Sequence, residues 1–356
     1  MKKLFSLALV VVMALSMVSF AVAEDGGYEL ALVTDIGTID DKSFNQGAWE
    51  GLAAYAEENG ISHKYYQPQE QTDDAYLDSI QLAVESGAKL IVTPGFLFEV
   101  PIFMAQDMYP DVKFVLVDGN PHDADYAEFR TADNTVGIIY AEEQSGFLAG
   151  YAAVKEGYTK LGFMGGMAVP AVVRFGYGFV QGADYAAKEL GVEAVSINYH
   201  YTGGFEATRE AQAQAAAWYK DGVEVIFACG GAVGNSVMRA AEDSEGKWVI
   251  GVDVDQSAES ATVLTSATKG LKPSVYQAIE ALYNDEFPGG QNWVLGADRD
   301  GVSLPMENSL FSVFTQADYD AIYAKLVAGE IELLKDADVA DETAIPTEVT
   351  AVTQIK

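Results

Sequence analysis

Three aspartates stand where apolar runs end: Asp35 after LALVT, Asp118 after KFVLV and Asp253 after WVIGV. An ionised carboxylate only accepts hydrogen bonds, and its two oxygens suit the paired hydroxyls of a sugar. Three of them on one crevice edge therefore favour a polyhydroxylated ligand over an anion. Each alone also reads as the N-cap of a following helix. Lys269, in TSATKG, is a lone cation after a strand, either solvated or set among the carboxylates to balance their charge and donate to a hydroxyl.

Phe44 and Asn45 follow the turn-rich GTIDDKS, with Ser43 as a natural N-cap before them. Phe44 is either a core residue of its helix or a ring facing the crevice. Phe205, in YTGGFEATRE, lacks periodic apolar partners, and a ring so placed opposite Phe44 would hold a planar group between the two. Gly230 and Gly231, in CGGAVGNS, fit neither the Walker spacing nor GxGxxG, and no Lys follows them. They point to close backbone approach to a neutral ligand rather than to a phosphate cradle. His63, His122 and His200 lack metal-ligand spacing, and no nucleophile, base and orienting group can be assembled. No cofactor is expected. Cys229 reads as a small buried residue of the strand VEVIFACGG, and as the sole cysteine it can form no internal disulfide.

Such residues need elements to hold them. Period-2 and apolar runs predict strands over 28–33, 62–66, 89–93 and 113–117, alternating with helices over 44–55, 73–86 and 99–109. A second alternating run follows a helix over 140–155: strands over 161–164, 193–199, 223–229 and 247–252, with helices over 171–190, 206–220 and 235–242. Beyond Asp255 come a strand near 261–266, a helix over 273–283, the connection PGGQNWVLGADRDG, a helix over 316–329 and a strand-like 348–355. Alternation of this kind means α/β architecture with two doubly wound parallel sheets, and ligands of open α/β sheets lie beyond the carboxyl ends of the strands. No flexible tether separates the halves, so short crossings and a hinge are expected.

With 356 residues, 49% of them hydrophobic, the chain can bury two ordinary cores. A formal net charge of −32 disfavours nucleic acid, anionic membrane surfaces and polyanionic ligands, leaving a neutral or cationic small ligand. Residues 1–23 read as a signal peptide, with Lys2 and Lys3, an apolar centre over 4–20 and the cleavage site Ala21-Val22-Ala23; an uncleaved anchor is the competing reading. Periplasmic or cell-surface residence follows.

The stretch VTDIGTIDDKSFNQGAWEGL, followed in order by FMGGMAVPAVVRFGYGFVQGADY, YTGGF, GVDVDQ and TSATK, resembles the basic membrane protein family of ABC-transporter substrate-binding proteins, the purine-nucleoside receptor group. The resemblance spans essentially the whole mature chain. It implies a type I periplasmic-binding fold with two lobes, expected as 24–136 with 255–300 and 137–254 with 301–356. It further implies that Phe44 and Phe205 stack on a base, that Asp35 and Asn45 bond its edge, and that Asp118, Gly230, Asp253 and Lys269 hold the ribose. The implied partners are a nucleoside and a membrane permease, with the protein acting as a monomer and catalysing nothing. Riboflavin, a pentose or a sensor role are the alternatives. Two positions depart from the pattern: Ala23-Glu24 occupies the region where relatives carry a lipidated cysteine, so no lipid anchor is expected, and Ala232-Val233 replaces a smaller or hydroxylated pair.

Overall fold

Leu30 and Leu32 point to one side of strand β1 (Leu30–Val33), Ala31 and Val33 to the other, and all four are fully buried. A strand apolar on both faces needs helices on both faces of its sheet. The structure, a computed structural model, describes residues 27–35 and 37–356; the expected targeting segment lies outside them.

The chain continues through α1 (Phe44–Asn59), β2 (His63–Tyr66), α2 (Asp73–Glu85), β3 (Leu90–Pro94), α3 (Glu99–Met108), β4 (Lys113–Val117) and β5 (Thr135–Tyr140). Next come α4 (Glu142–Lys155), β6 (Lys160–Gly165), α5 (Pro170–Leu190), β7 (Val195–Tyr201), α6 (Arg209–Lys220), β8 (Val225–Cys229), α7 (Val233–Glu242), β9 (Trp248–Asp253) and β10 (Val263–Lys269). It ends with α8 (Leu271–Tyr283), β11 (Gln291–Leu295), β12 (Val302–Ser303), α9 (Gln316–Val327) and β13 (Thr350–Gln354).

Two sheets result, as expected. The first is wholly parallel in the order β11-β5-β4-β3-β1-β2. The second runs β12-β10-β9-β8-β6-β7-β13, with only β12 antiparallel to its neighbour. In the first, α1 and α8 cover one face, while Tyr76 and Ile80 of α2 and Ile102 of α3 cover the other. In the second, α4 and α5 lie opposite α6 and α7.

Strands β5, β11 and β12 were not legible in the sequence, and the expected lobe limits need correction. A break at 136/137 would cut β5, which pairs with β4 along 135–138. Residues 263–269, expected in the first lobe, form β10 and pair with β9 in the second sheet. Gly137 interrupts the apolar run of β5, and the sheet that a strand joins is set by long-range pairing rather than by its own pattern.

The chain passes between sheets three times: from β5 to α4, from β10 to α8, and from β11 to β12. These crossings are stitched together, with Ala141 N–H donating to Leu295 O (3.0 Å) and Gly270 N–H to Gly301 O (2.9 Å), while Gly301 N–H to Gly296 O (2.8 Å) closes the turn within the third.

Helices α4 and α5 meet backbone to backbone. A methyl group at Gly178 would lie 2.0 Å from Glu143 O, and one at Gly146 would lie 2.0 Å from Phe175 O. Alanine is the better helix former by about 1 kcal/mol, but the clash outweighs that gain, so Gly178→Ala should destabilise the protein by about 2 kcal/mol net. Urea denaturation measures this, and a midpoint that stays or rises would show that the two helices separate without cost.

Candidate functional site

The carboxyl ends of the central strands of both sheets face one another across a cavity of about 310 Å³. All nine residues singled out from the sequence line it: Asp35, Phe44, Asn45, Asp118, Phe205, Gly230, Gly231, Asp253 and Lys269.

At one end lies the loop between β1 and α1. Ser43 does not cap α1 with its side chain; its Oγ instead donates across the cleft to Asp253 Oδ2 (2.5 Å). Asp41 serves the helix start, accepting the N–H groups of Ser43 (2.9 Å), Asn45 (2.9 Å) and Gln46 (3.1 Å). Burial raises the pKa of Asp41 although these bonds oppose the shift. Asn45 Nδ2 donates to Asp35 Oδ1 (3.1 Å) and Asp41 Oδ2 (3.1 Å), which fixes the amide orientation. Asp35 Oδ1 also accepts the N–H of Gly37 (3.1 Å), closing the turn.

The other end is built on a two-fold correspondence. Strands β4 and β9 hold the third place in their sheets, and Asp118 after one and Asp253 at the end of the other both adopt left-handed backbone, with φ of 61° and 68°. Such backbone is uncommon outside glycine, and aspartate tolerates it better than most residues. Tyr140 and Lys269 end the corresponding strands β5 and β10. None of the three strand-end aspartates is the N-cap residue of a helix, so the capping reading of them does not hold.

Lys269 is buried among three carboxylates. Its Nζ lies 2.5 Å from Asp118 Oδ2, 3.3 Å from Asp253 Oδ1 and 3.7 Å from Glu142 Oε1. Burial would depress its pKa, but Asp118, Asp253 and Glu142 hold it above its ordinary value, so the group remains a cation. Burial conversely raises Asp118, with Lys269 opposing and Glu142 and Asp253 adding to the rise. The ammonium also sits 4.5 Å from the Phe44 ring centroid, within cation–π range. Phe44 thus serves both the helix and the cavity.

Phe205 packs over Gly166, where a methyl group would lie 2.5 Å from its ring. Gly230 is required by the protein itself, since a side chain there would meet Gly166 N at 2.7 Å; Gly231 has φ of 56°. Cys229 is buried on the cavity wall, and burial pushes its thiol pKa well up, so it is a packing residue.

The sequence reading missed Asp41, Phe175 and Glu206, which also line the cavity. Asp41 is hidden in a polar turn, and Phe175 falls on the apolar period of α5; its place in the first turns after a strand end was the available signal. Among the described residues no His, Cys, Asp or Glu cluster could hold a metal ion, and no helix is long and apolar enough to cross a membrane.

A family model described as Bmp, ABC transporter substrate-binding protein PnrA-like, matches residues 28–336. The chain is 31% identical over 301 residues to the ABC transporter nucleoside-binding protein BmpA of Lactococcus lactis, covering 78% of this chain and 82% of that one. It is 30% identical over 332 residues to the CD4+ T-cell-stimulating antigen of Listeria monocytogenes, covering 86% and 88%. An ABC transporter solute-binding protein from Aeropyrum pernix shares the fold with a TM-score of 0.74 at 23% identity, over 87% of this chain and 94% of its own. One from Conexibacter woesei gives a TM-score of 0.69 at 26% identity, over 86% and 99%.

Removing the ammonium while leaving its anions exposes the balance of the cavity. Lys269→Met should destabilise the protein by about 3–5 kcal/mol at neutral pH. Asp118 is already raised by burial and would lose the cation that opposes the rise, so its folded-state pKa lies above that of the unfolded chain, the folded state binds more protons and stability grows as pH falls. The variant should therefore regain stability between neutral pH and about pH 4, where ordinary carboxylates titrate. Thermal melts across that range check it, and a deficit that does not change with pH would contradict the electrostatic account.

Proposed function

The chain belongs to the Bmp family of PnrA-like ABC transporter substrate-binding proteins, and from that premise we propose that its cavity takes a nucleoside, purine nucleosides foremost, for delivery to a membrane permease. Membership implies a small-molecule ligand, a permease partner, an extracytoplasmic location and a role in binding rather than catalysis. The observation that carries the finer reading is that one cavity wall offers two chemistries. Phe44 and Phe205 line it with aromatic surface, and Lys269 with Asp118 and Asp253 forms a cluster able to donate to and accept from vicinal hydroxyls. A base between rings and a ribose on charged groups uses both. Asp35 and Asn45 would bond the base edge, while Gly230 and Gly231 admit the ribose close to the backbone. The printed name of the Lactococcus relative supports the ligand class.

Contacts already cross the cleft: Ser43 to Asp253, Lys269 to Asp118, and Gln256 Nε2 to Lys42 O (2.7 Å). A ligand bonded to both lobes adds to these and draws the population toward the closed form. Six acidic residues and one lysine line the cavity, so a phosphate would meet repulsion.

Equilibrium binding to ligand-free protein tests the proposal with inosine, guanosine, adenosine, their 5′-monophosphates, ribose and riboflavin. Nucleosides should bind, monophosphates far more weakly, and ribose alone not measurably. Phe205→Ala should weaken nucleoside binding by about 1–3 kcal/mol. Riboflavin or ribose binding in place of every nucleoside would overturn the ligand assignment and leave the family standing.

A further inference from the structure

Behind the cavity, and not lining it, lies Glu142. It is the first residue of α4, one position beyond the crossing at Ala141, and is fully buried. Its Oε2 accepts Arg174 Nε at 2.7 Å, and Arg174 is held from its far side by Asp336 at 3.5 Å. Its Oε1 has no hydrogen-bond partner among the described residues and lies 3.7 Å from Lys269 Nζ. An ionised carboxylate so deeply buried is costly to keep, and this one is tethered at one oxygen with the other left toward the ammonium.

We infer that Glu142 is a positioning residue for the ribose end of the cavity, acting through Lys269; the inference rests on the nucleoside reading above. Lys269 faces two anions on the cavity side, Asp118 and Asp253, and Glu142 behind. The ammonium lies closest to Asp118 (2.5 Å) and Asp253 (3.3 Å), and Glu142 at 3.7 Å is a third anion that shares it from behind, so that less of its charge is committed to the two carboxylates a ribose must reach. Asp118 Oδ1 is buried and has no hydrogen-bond partner among the described residues. Arg174 supplies the rear tether, so Glu142 cannot swing forward and enter the cavity itself.

The test compares a purine ribonucleoside with its 2′,3′-dideoxy analogue, which keeps the base and loses both hydroxyls, by calorimetry on the mature chain. The unaltered protein should prefer the ribonucleoside. In Glu142→Gln, which keeps the shape and removes the charge, that preference should shrink by about tenfold, the scale of one charge-assisted hydrogen bond, while the dideoxy affinity stays the same. Glu142→Asp keeps the charge on an arm one methylene shorter and should restore part of the preference. If Glu142→Gln does not fold, Glu142→Asp alone decides, by a preference smaller than that of the unaltered protein. A variant that weakens both ligands equally, or neither, would make Glu142 a purely structural residue and overturn the inference. An unaltered protein that binds nucleosides without distinguishing the two ligands would sink the ribose assignment, and a protein that binds no nucleoside would sink the proposed function itself.

Discussion

The ammonium of Lys269 is the point at which both sheets, the cavity and one crossing meet. Among the described residues on the cavity wall it is the one basic side chain, and it is almost fully buried. Its nearest anions come from different places: Asp118 from the first sheet, Asp253 from the second and Glu142 from the helix that follows the first crossing. A buried cation with one anion would be a marginal arrangement, because desolvation nearly cancels the attraction. With three, charge keeps the proton on lysine and turns the excess negative potential toward whatever enters.

That excess agrees with the whole molecule, whose formal charge is −32. Few lysines and arginines remain for specific work, and those buried near the cavity are each matched to carboxylates: Lys269 as above, and Arg174 to Glu142 and Asp336. The C-terminal segment therefore matters to the interior. Lys335 reaches the buried Glu143 at 3.3 Å, and the backbone of Leu334 exchanges hydrogen bonds with the side chain of Gln181 on α5. A stretch with little periodicity of its own supports the second lobe through these few polar contacts.

Much of this was legible beforehand, because strands buried on both faces leave unbroken apolar runs, and an acidic residue ending such a run marks the rim of the crevice. Asp35, Asp118 and Asp253 were found that way, and Phe205 by its lack of periodic partners. The misses have different physical causes. Strand β11 lies at a sheet edge with Gln291, Asn292 and Val294 exposed, so it shows no buried run, and β5 is interrupted by Gly137. Ser43 looked like a helix cap because its type and position fit one, yet its hydroxyl is taken by Asp253, 210 residues away. Local propensity offers a hydroxyl several partners, and only the tertiary fold chooses. Glu142 was invisible for a related reason: an acidic residue at a helix start is ordinary in sequence, and only burial against Lys269 and Arg174 gives it meaning.

The three stitched crossings restrict how the lobes can move. A single tether lets two bodies swivel about it as well as bend, whereas adjacent segments tied by hydrogen bonds act as a ribbon. Swivelling would pull Ala141 from Leu295 and Gly270 from Gly301. Bending about the ribbon strains neither bond, so the connection favours a hinge over a twist. A hinge of that kind would part Ser43 and Asp253 and bring them back in one register.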